Sequence, residues 1–303
     1  MPSSSKPLDA DIGPQNGDAT TWKITLCYDG SQFFGWQVQP GRATVQQALK
    51  SAIFRVTGET VLPQGSGRTD AGVHALAQVA SCALRAPIPP QNLKRALNHA
   101  LPPSIRVLAA ERAAPHFHAR HSSVGKSYEY RIWRAKLCPP WNAPYVTAWD
   151  FPVNLELLHR AAAQVLGMHD FRSFESHEAH AAAQADPNSV FSRDFQAQAV
   201  PDAIVGAEAV PGVSGLTVKT LTASSWSLPE AEMLVYRVEG SGFLHHMVRN
   251  LVGTFLAIGR GQIDPDAMPA ILAARQRSAA GPTAPSNGLW LHSVEYPAGH
   301  LQR

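Results

Sequence analysis

Apolar residues in this chain recur with two periods in turn, and that alternation limits the fold more than any other feature. Trp22 to Tyr28 alternates, with Ile24, Leu26 and Tyr28 on one face, which predicts a strand. Thr44 then opens a helix: Thr44-Val45-Gln46-Gln47 matches a capping box, and Val45, Leu49, Ile53 and Val56 form an apolar stripe. A β segment over Gln78–Leu84 follows, then a helix over Gln91–Leu101 stopped by Pro102-Pro103, then a strand over Ile105–Ala110. A second set begins after Pro115, with a strand over Ser127–Trp133 and a helix capped by Asn154. Strands over Thr217–Ser225 and Glu232–Glu239 lead to an apolar helix over Phe243–Ile258. Pro265 is expected to open one more helix at its first position, before a last strand over Leu289–Tyr296. The order βαβαβ, then βαββααβ, predicts an α/β (α+β) chain of two α/β subdomains, 21–115 and 116–303, with mostly antiparallel sheets.

Composition supports a packed core. Of 303 residues, 45% are hydrophobic and 16% charged, which excludes global disorder. A net charge of +3 is too mild to mark a nucleic-acid binder, but 19 of the 26 basic residues are arginine, whose fork suits carboxylate and phosphate. Three scattered cysteines (Cys27, Cys82, Cys138) without a C-x-x-C argue against a disulfide framework or a structural zinc site, and fit a reducing cytoplasm. No apolar run reaches the ~18 residues of a spanning helix, so no membrane partner is expected. Residues 1–20, rich in Ser, Pro, Asp and Gly, read as a disordered tail rather than a targeting peptide. Glu175 to Gly215 carries six acidic residues against Arg193, a balance of −5. A loop that long, at about 176–215, reads as an insertion that projects away from the cleft or is poorly ordered, and that carries none of the chemistry.

Familiar cofactor signatures fail. Gly125-Lys126-Ser127 ends like a P-loop, but Arg120 occupies the place of its first glycine. Gly65-Ser66-Gly67 has Asp70 where a dinucleotide fingerprint needs its third glycine, and no H-E-x-x-H occurs. Histidines gather at His116, His118 and His121 and at His245-His246, but without nearby cysteines or paired carboxylates. The expectation is therefore no metal, no cofactor, and a redox-neutral reaction run by side chains if the chain is an enzyme.

Three stretches carry candidate chemistry. In Gly65-Ser66-Gly67-Arg68-Thr69-Asp70-Ala71-Gly72-Val73-His74-Ala75, glycines flank one charged pair. A carboxylate beside arginine stays ionised and can act as a nucleophile, although a turn salt bridge has the same composition. Between His116 and Lys136, five basic residues face one Glu129 and interleave with Phe117, Tyr128 and Tyr130. That pattern suits an RNA surface as well as an amphipathic strand with Tyr128 in the core. In Gly242 to Asn250, Arg249 lies one turn from His245 and His246 on an apolar segment, where a buried guanidinium needs an anionic partner such as Asp70.

These stretches together resemble the tRNA pseudouridine synthase A family. The resemblance is carried by Gly67-Arg68-Thr69-Asp70-Ala71-Gly72-Val73-His74-Ala75, by Tyr28-Asp29-Gly30 with Phe34-Gly35-Trp36-Gln37, and by Ala96-Leu97-Asn98 with Leu101-Pro102. It continues through Phe117-His118-Ala119-Arg120, Tyr128-Glu129-Tyr130, Asp170-Phe171 with Ser173-Phe174, and His245-His246-Met247-Val248-Arg249-Asn250, in family order. It implies a homodimer of two-domain subunits with the active cleft between domains, and isomerisation of uridine to pseudouridine in the tRNA anticodon stem-loop at positions 38 to 40. Asp70 matches the catalytic aspartate, Tyr128 the tyrosine that stacks on the target base, and Arg249 the arginine paired with the aspartate. Arg68 matches the motif arginine that handles RNA, and His118, Arg120, Lys126 and His246 join it as expected substrate contacts. Two departures stand out: Val218-Lys219-Thr220 replaces a usual Val-Arg-Thr, and the acidic stretch is long. The competing readings are a hydrolytic base glycosylase, which would release free uracil, and a non-catalytic RNA-binding module.

Overall fold

A computed structural model describes residues 19–176 and 217–301, so the expected tail and insertion fall outside the described residues, apart from their edges. At those edges, Thr20 already belongs to the first strand. The strands are β1 (Thr20–Tyr28), β2 (Gln64–Gly65), β3 (His74–Leu84), β4 (Ile105–Arg112), β5 (Gly125–Trp133), β6 (Thr147–Ala148), β7 (Gly167–Asp170), β8 (Val218–Glu230), β9 (Met233–Gly240) and β10 (Leu289–Glu295). All join one mixed, mostly antiparallel sheet in the order β4-β1-β3-β10-β5-β9-β8-β7, with β2 on β3 and β6 on β5. The last strand therefore sits in the middle. β10 pairs parallel with β3 through Trp290↔His74 and Leu291↔Ala75, and antiparallel with β5. This seam sets the loop before β3 beside the strand that carries Tyr128.

The α-helices among the described residues are α1 (Val45–Thr57), α2 (Pro90–Ala100), α3 (Leu155–Ala163), α4 (Met247–Gly259) and α5 (Met268–Ala274), joined by three short 3-10 turns. Alternation in β1 buries Trp22, Ile24, Leu26 and Tyr28 against Val45, Leu49 and Ile53 of α1 and Leu93 and Leu97 of α2. Each such aliphatic burial is worth about 1.5–3 kcal/mol. The Thr44 hydroxyl caps α1 by accepting from Gln47 N–H at 3.4 Å, but the Gln47 side chain turns to Ser51, so only half of the capping box forms. Asn154 caps α3 by accepting from Glu156 and Leu157 N–H.

Two helix starts differ from expectation. The apolar run from Phe243 suggests a helix from its first residue, yet α4 begins at Met247, because His246 takes a left-handed conformation at φ 60°. The preceding loop aims both imidazoles at Asp70 and sets Phe243 edge-on against Tyr128, contacts that a continuous helix would forfeit. Pro265 does not open a helix either. Asp264 to Ala267 forms a turn, with the Asp264 carboxylate accepting from Asp266 N–H, and Pro269 occupies the first turn of α5.

Candidate active site

The loop between β2 and β3 is held from below by the first motif of the chain. Trp36 N–H donates to the Thr69 carbonyl at 3.0 Å, and the Tyr28 and Thr69 hydroxyls share a hydrogen bond of 2.9 Å. Gln78 Nε2 donates to the Gly67 carbonyl at 3.0 Å while its Oε1 accepts from Ser66 Oγ at 2.6 Å. Gly35 sits at φ 81°, and a Cβ there would lie 2.5 Å from the Thr69 carbonyl oxygen. The strand and its Gly-containing turn therefore need bare backbone at that point to approach the loop. Gly72, at φ 78°, lets the chain reverse directly after Asp70.

Asp70 stands on this loop with three cationic or protonatable neighbours from the second half of the chain. Arg249 Nη1 donates to Oδ2 at 3.0 Å, His246 Nε2 lies 3.1 Å from Oδ2, and His245 Nε2 lies 3.4 Å from Oδ1. Burial by itself would raise the Asp70 pKa. Hydrogen bonds from His245 and His246 and the Arg249 charge outweigh it and hold the carboxyl far below the usual carboxylate range. Arg249 is itself anchored by donating from Nε to the Ala284 carbonyl at 2.7 Å. The two imidazoles stack with centroids 3.8 Å apart.

Tyr128 lies on β5, 9% exposed, with its ring edge-to-face against Phe243 at 5.0 Å. Burial pushes its hydroxyl up, and Tyr28 and the Asp70 charge push it further. It is therefore neutral near pH 7.

A second group gathers on the other limb of the loop. Lys126 Nζ donates to the Ser66 carbonyl at 2.7 Å. Burial, helped by the charges of Arg120 and Lys219, lowers its pKa to about 8. Among the described residues no carboxylate pairs with it. Arg68 and Arg120 are exposed. His118 uses Nδ1 to accept from Arg120 and His121 N–H, which leaves only Nε2 for a ligand.

Of the residues expected from sequence, the fold brings Asp70, Arg249, His246 and Tyr128 together, and sets Lys126 and Arg120 at a second cluster nearby. Sequence reasoning missed His245 as a contact of Asp70, although the histidine doublet was visible. It also missed the role of His74. Gly30 N–H donates to His74 Nδ1 at 3.0 Å and Nε2 faces the Pro144 carbonyl at 3.0 Å, which fixes the neutral tautomer protonated at Nε2. Burial lowers its pKa despite the nearby Asp29 charge, and Trp290 stacks on it at 4.3 Å. His74 is thus a structural brace between β3 and β10. Asp70, His245 and His246 also offer three ligand atoms within 4.8 Å of one another, a set that no stretch of sequence contains.

A family model described as tRNA pseudouridine synthase matches residues 25–122 and 161–297. Asp70, Arg68, His118, Arg120, His246 and Arg249 fall inside the matched segments, whereas Lys126 and Tyr128 lie between them. The chain is 42% identical over 275 residues to the tRNA pseudouridine synthase A of Solibacter usitatus, covering 90% of this chain and 98% of that protein. It is 41% identical over 276 residues to the tRNA pseudouridine synthase A of Moorella thermoacetica, with 90% and 98% covered. The protein of that name from Neisseria gonorrhoeae is 35% identical over 280 residues, with 92% and 93% covered. The chain therefore belongs to the tRNA pseudouridine synthase family.

Proposed function

We propose that this protein isomerises uridine to pseudouridine in the anticodon stem-loop of tRNA, at positions 38 to 40, with Asp70 as the catalytic carboxylate. The observation that carries this reading is a single carboxylate kept ionised by Arg249 and two imidazoles, on a loop pinned at several backbone points. The reaction detaches uracil from C1′, rotates it and rejoins it through C5, with no change in oxidation state. It needs a nucleotide taken out of its stack, one charged carboxylate and exclusion of water. Asp70 attacks the ribose or the base, or removes a sugar proton, and Arg249 keeps it charged and aimed. Tyr128 stacks on the base. Its neutral hydroxyl takes the C5 proton only by passing its own proton on. Arg68, Arg120, Lys126, His118 and His246 contact the RNA. No cofactor takes part. The enzyme acts in the cytoplasm as a homodimer.

The test is to map pseudouridine in tRNA incubated with purified protein and no added cofactor. Pseudouridine at positions 38 to 40 supports the reading. Release of free uracil would replace it with a hydrolytic glycosylase, and tightly bound but unmodified tRNA would leave an RNA-binding module.

A further inference from the structure

We propose that Asp70, His245 and His246 bind a zinc-class divalent cation, and that such an ion switches the enzyme off by occupying the carboxylate. The site itself rests on geometry. Only the switching half rests on Asp70 being the reactive group.

The three ligand atoms lie within 4.8 Å of one another, and His Nε2 to Asp70 oxygen distances are 3.4 and 3.1 Å. A tetrahedral zinc ion with bonds of about 2.0 Å separates its ligand atoms by about 3.3 Å. Seating the ion requires the two stacked rings, now 3.8 Å apart between centroids, to swing open so that both Nε2 lone pairs converge on it. Two imidazoles and one carboxylate suit zinc and its late first-row neighbours, whereas magnesium and calcium prefer all-oxygen sets.

His245 is already oriented as a metal ligand. Its Nδ1 lies 2.7 Å from the Ser176 carbonyl oxygen, which can only accept, so Nδ1 carries the proton. Nε2 then faces Asp70 Oδ1 at 3.4 Å, where it donates a second ring proton to the carboxylate and where a metal ion would take that proton's place. Two acceptors at that distance need a cation between them, either a second ring proton or a metal ion. A ring N–H donated to a backbone carbonyl is the usual outer-shell support of a metal-bound histidine. Arg249, held by Ala284, orients the carboxylate from Oδ2 in the way ligating carboxylates are oriented. Its positive charge also opposes the ion, which makes this a reversible site rather than a permanent one. Side chains 25% to 36% exposed leave an entry path.

Equilibrium dialysis of the full chain with zinc, and visible absorption with cobalt(II), test the site without reference to activity. One equivalent should bind in the micromolar range or tighter, with four-coordinate cobalt bands that zinc bleaches. His245→Gln and Asp70→Asn should each weaken binding by at least about tenfold, the usual effect of losing even outer-shell support. Changing the other ring pair, His118→Gln with His121→Gln, should leave it intact. Failure to bind, or binding that survives His245→Gln and Asp70→Asn but disappears with the His118 and His121 changes, would overturn the site. Zinc should also inhibit pseudouridine formation in proportion to occupancy, with recovery on adding a chelator. Full occupancy with undiminished activity would overturn the switch. If Asp70→Asn still makes pseudouridine, the catalytic reading fails while the binding result stands.

Discussion

Asp70 and Lys126 attend to the same loop, and the fold treats their charges in opposite ways. Asp70 is surrounded by donors: Arg249 and His246 face one oxygen and His245 the other. Its charge is stabilised before any ligand arrives. Lys126 is half-buried near two further cations, the Ser66 carbonyl is its one hydrogen-bond partner among the described residues, and its pKa falls to about 8. Its charge is destabilised until an anion arrives. Under the proposed function, the difference separates two tasks. A preorganised anion serves a chemical step, where reorganisation would cost rate. A cation cluster with no paired carboxylate among the described residues suits binding, because an incoming phosphate relieves the repulsion.

The largest effect should come from removing the preorganised charge. Asp70→Asn keeps the shape of the loop and should lower pseudouridine formation by about 10⁴ or more, while tRNA binding persists. Appreciable turnover by this variant would place the chemistry elsewhere. Arg249→Ala comes next, with an expected loss of about 10²–10³, comparable to deleting one preorganised donor. It also changes the pH profile. With one lowering charge gone, the folded-state pKa of Asp70 rises toward the ordinary ~4. The ionised form, present above that value, is then lost as pH falls through it. Wild type should keep its rate in acid until unfolding intervenes; an identical acid limb in both proteins would show that Arg249 does not set the Asp70 charge.

A smaller effect is expected at Tyr128, on the boundary between the two regions. Tyr128→Ala should lose stacking worth about 1–3 kcal/mol, seen as weaker binding and slower turnover. Tyr128→Phe keeps the ring, so a rate equal to wild type would restrict the residue to stacking. The smallest effect belongs to the cation cluster. Lys126→Gln should weaken tRNA binding and reduce the slope of log K against log salt by about 1, with the rate at saturating tRNA unchanged. In wild type, Lys126 is charged below pH about 8 and neutral above it, so affinity should decline as pH rises through that value. Lys126→Arg should abolish this decline, because guanidinium does not titrate there. A fall in saturated rate for Lys126→Gln would blur the division of tasks.

Local sequence specified elements wherever a periodic pattern is long and capped. β1, α1, α2 and α3 stand close to where alternation, apolar stripes, Thr44 and Asn154 put them. Strands β2, β6 and β7 are two to four residues long, too short to show a period, and exist through their pairing partners. The start of α4 was illegible for a different reason. The apolar run through Phe243 and Leu244 is compatible with helix, and only contacts with Asp70 and Tyr128 favour the left-handed turn at His246. The motif Tyr28-Asp29-Gly30 with Phe34-Gly35-Trp36 was visible as a resemblance, but its purpose was not. The fold shows it as the support of the Asp70 loop, with Trp36 and Tyr28 bonded to Thr69.

The sequence by itself determined the α/β class, the glycine-framed carboxylate and the family, because these depend on residue type and short spacing. The tertiary structure alone decided which charges meet. β10, last in the chain, lies between β3 and β5, and that placement brings the loop of Asp70 to Tyr128 and to the start of α4. Strand alternation encodes which face is buried but not which neighbour is chosen. A carboxylate far from its arginine and imidazoles in sequence gains their field only after the chain has closed, and so does its shifted pKa.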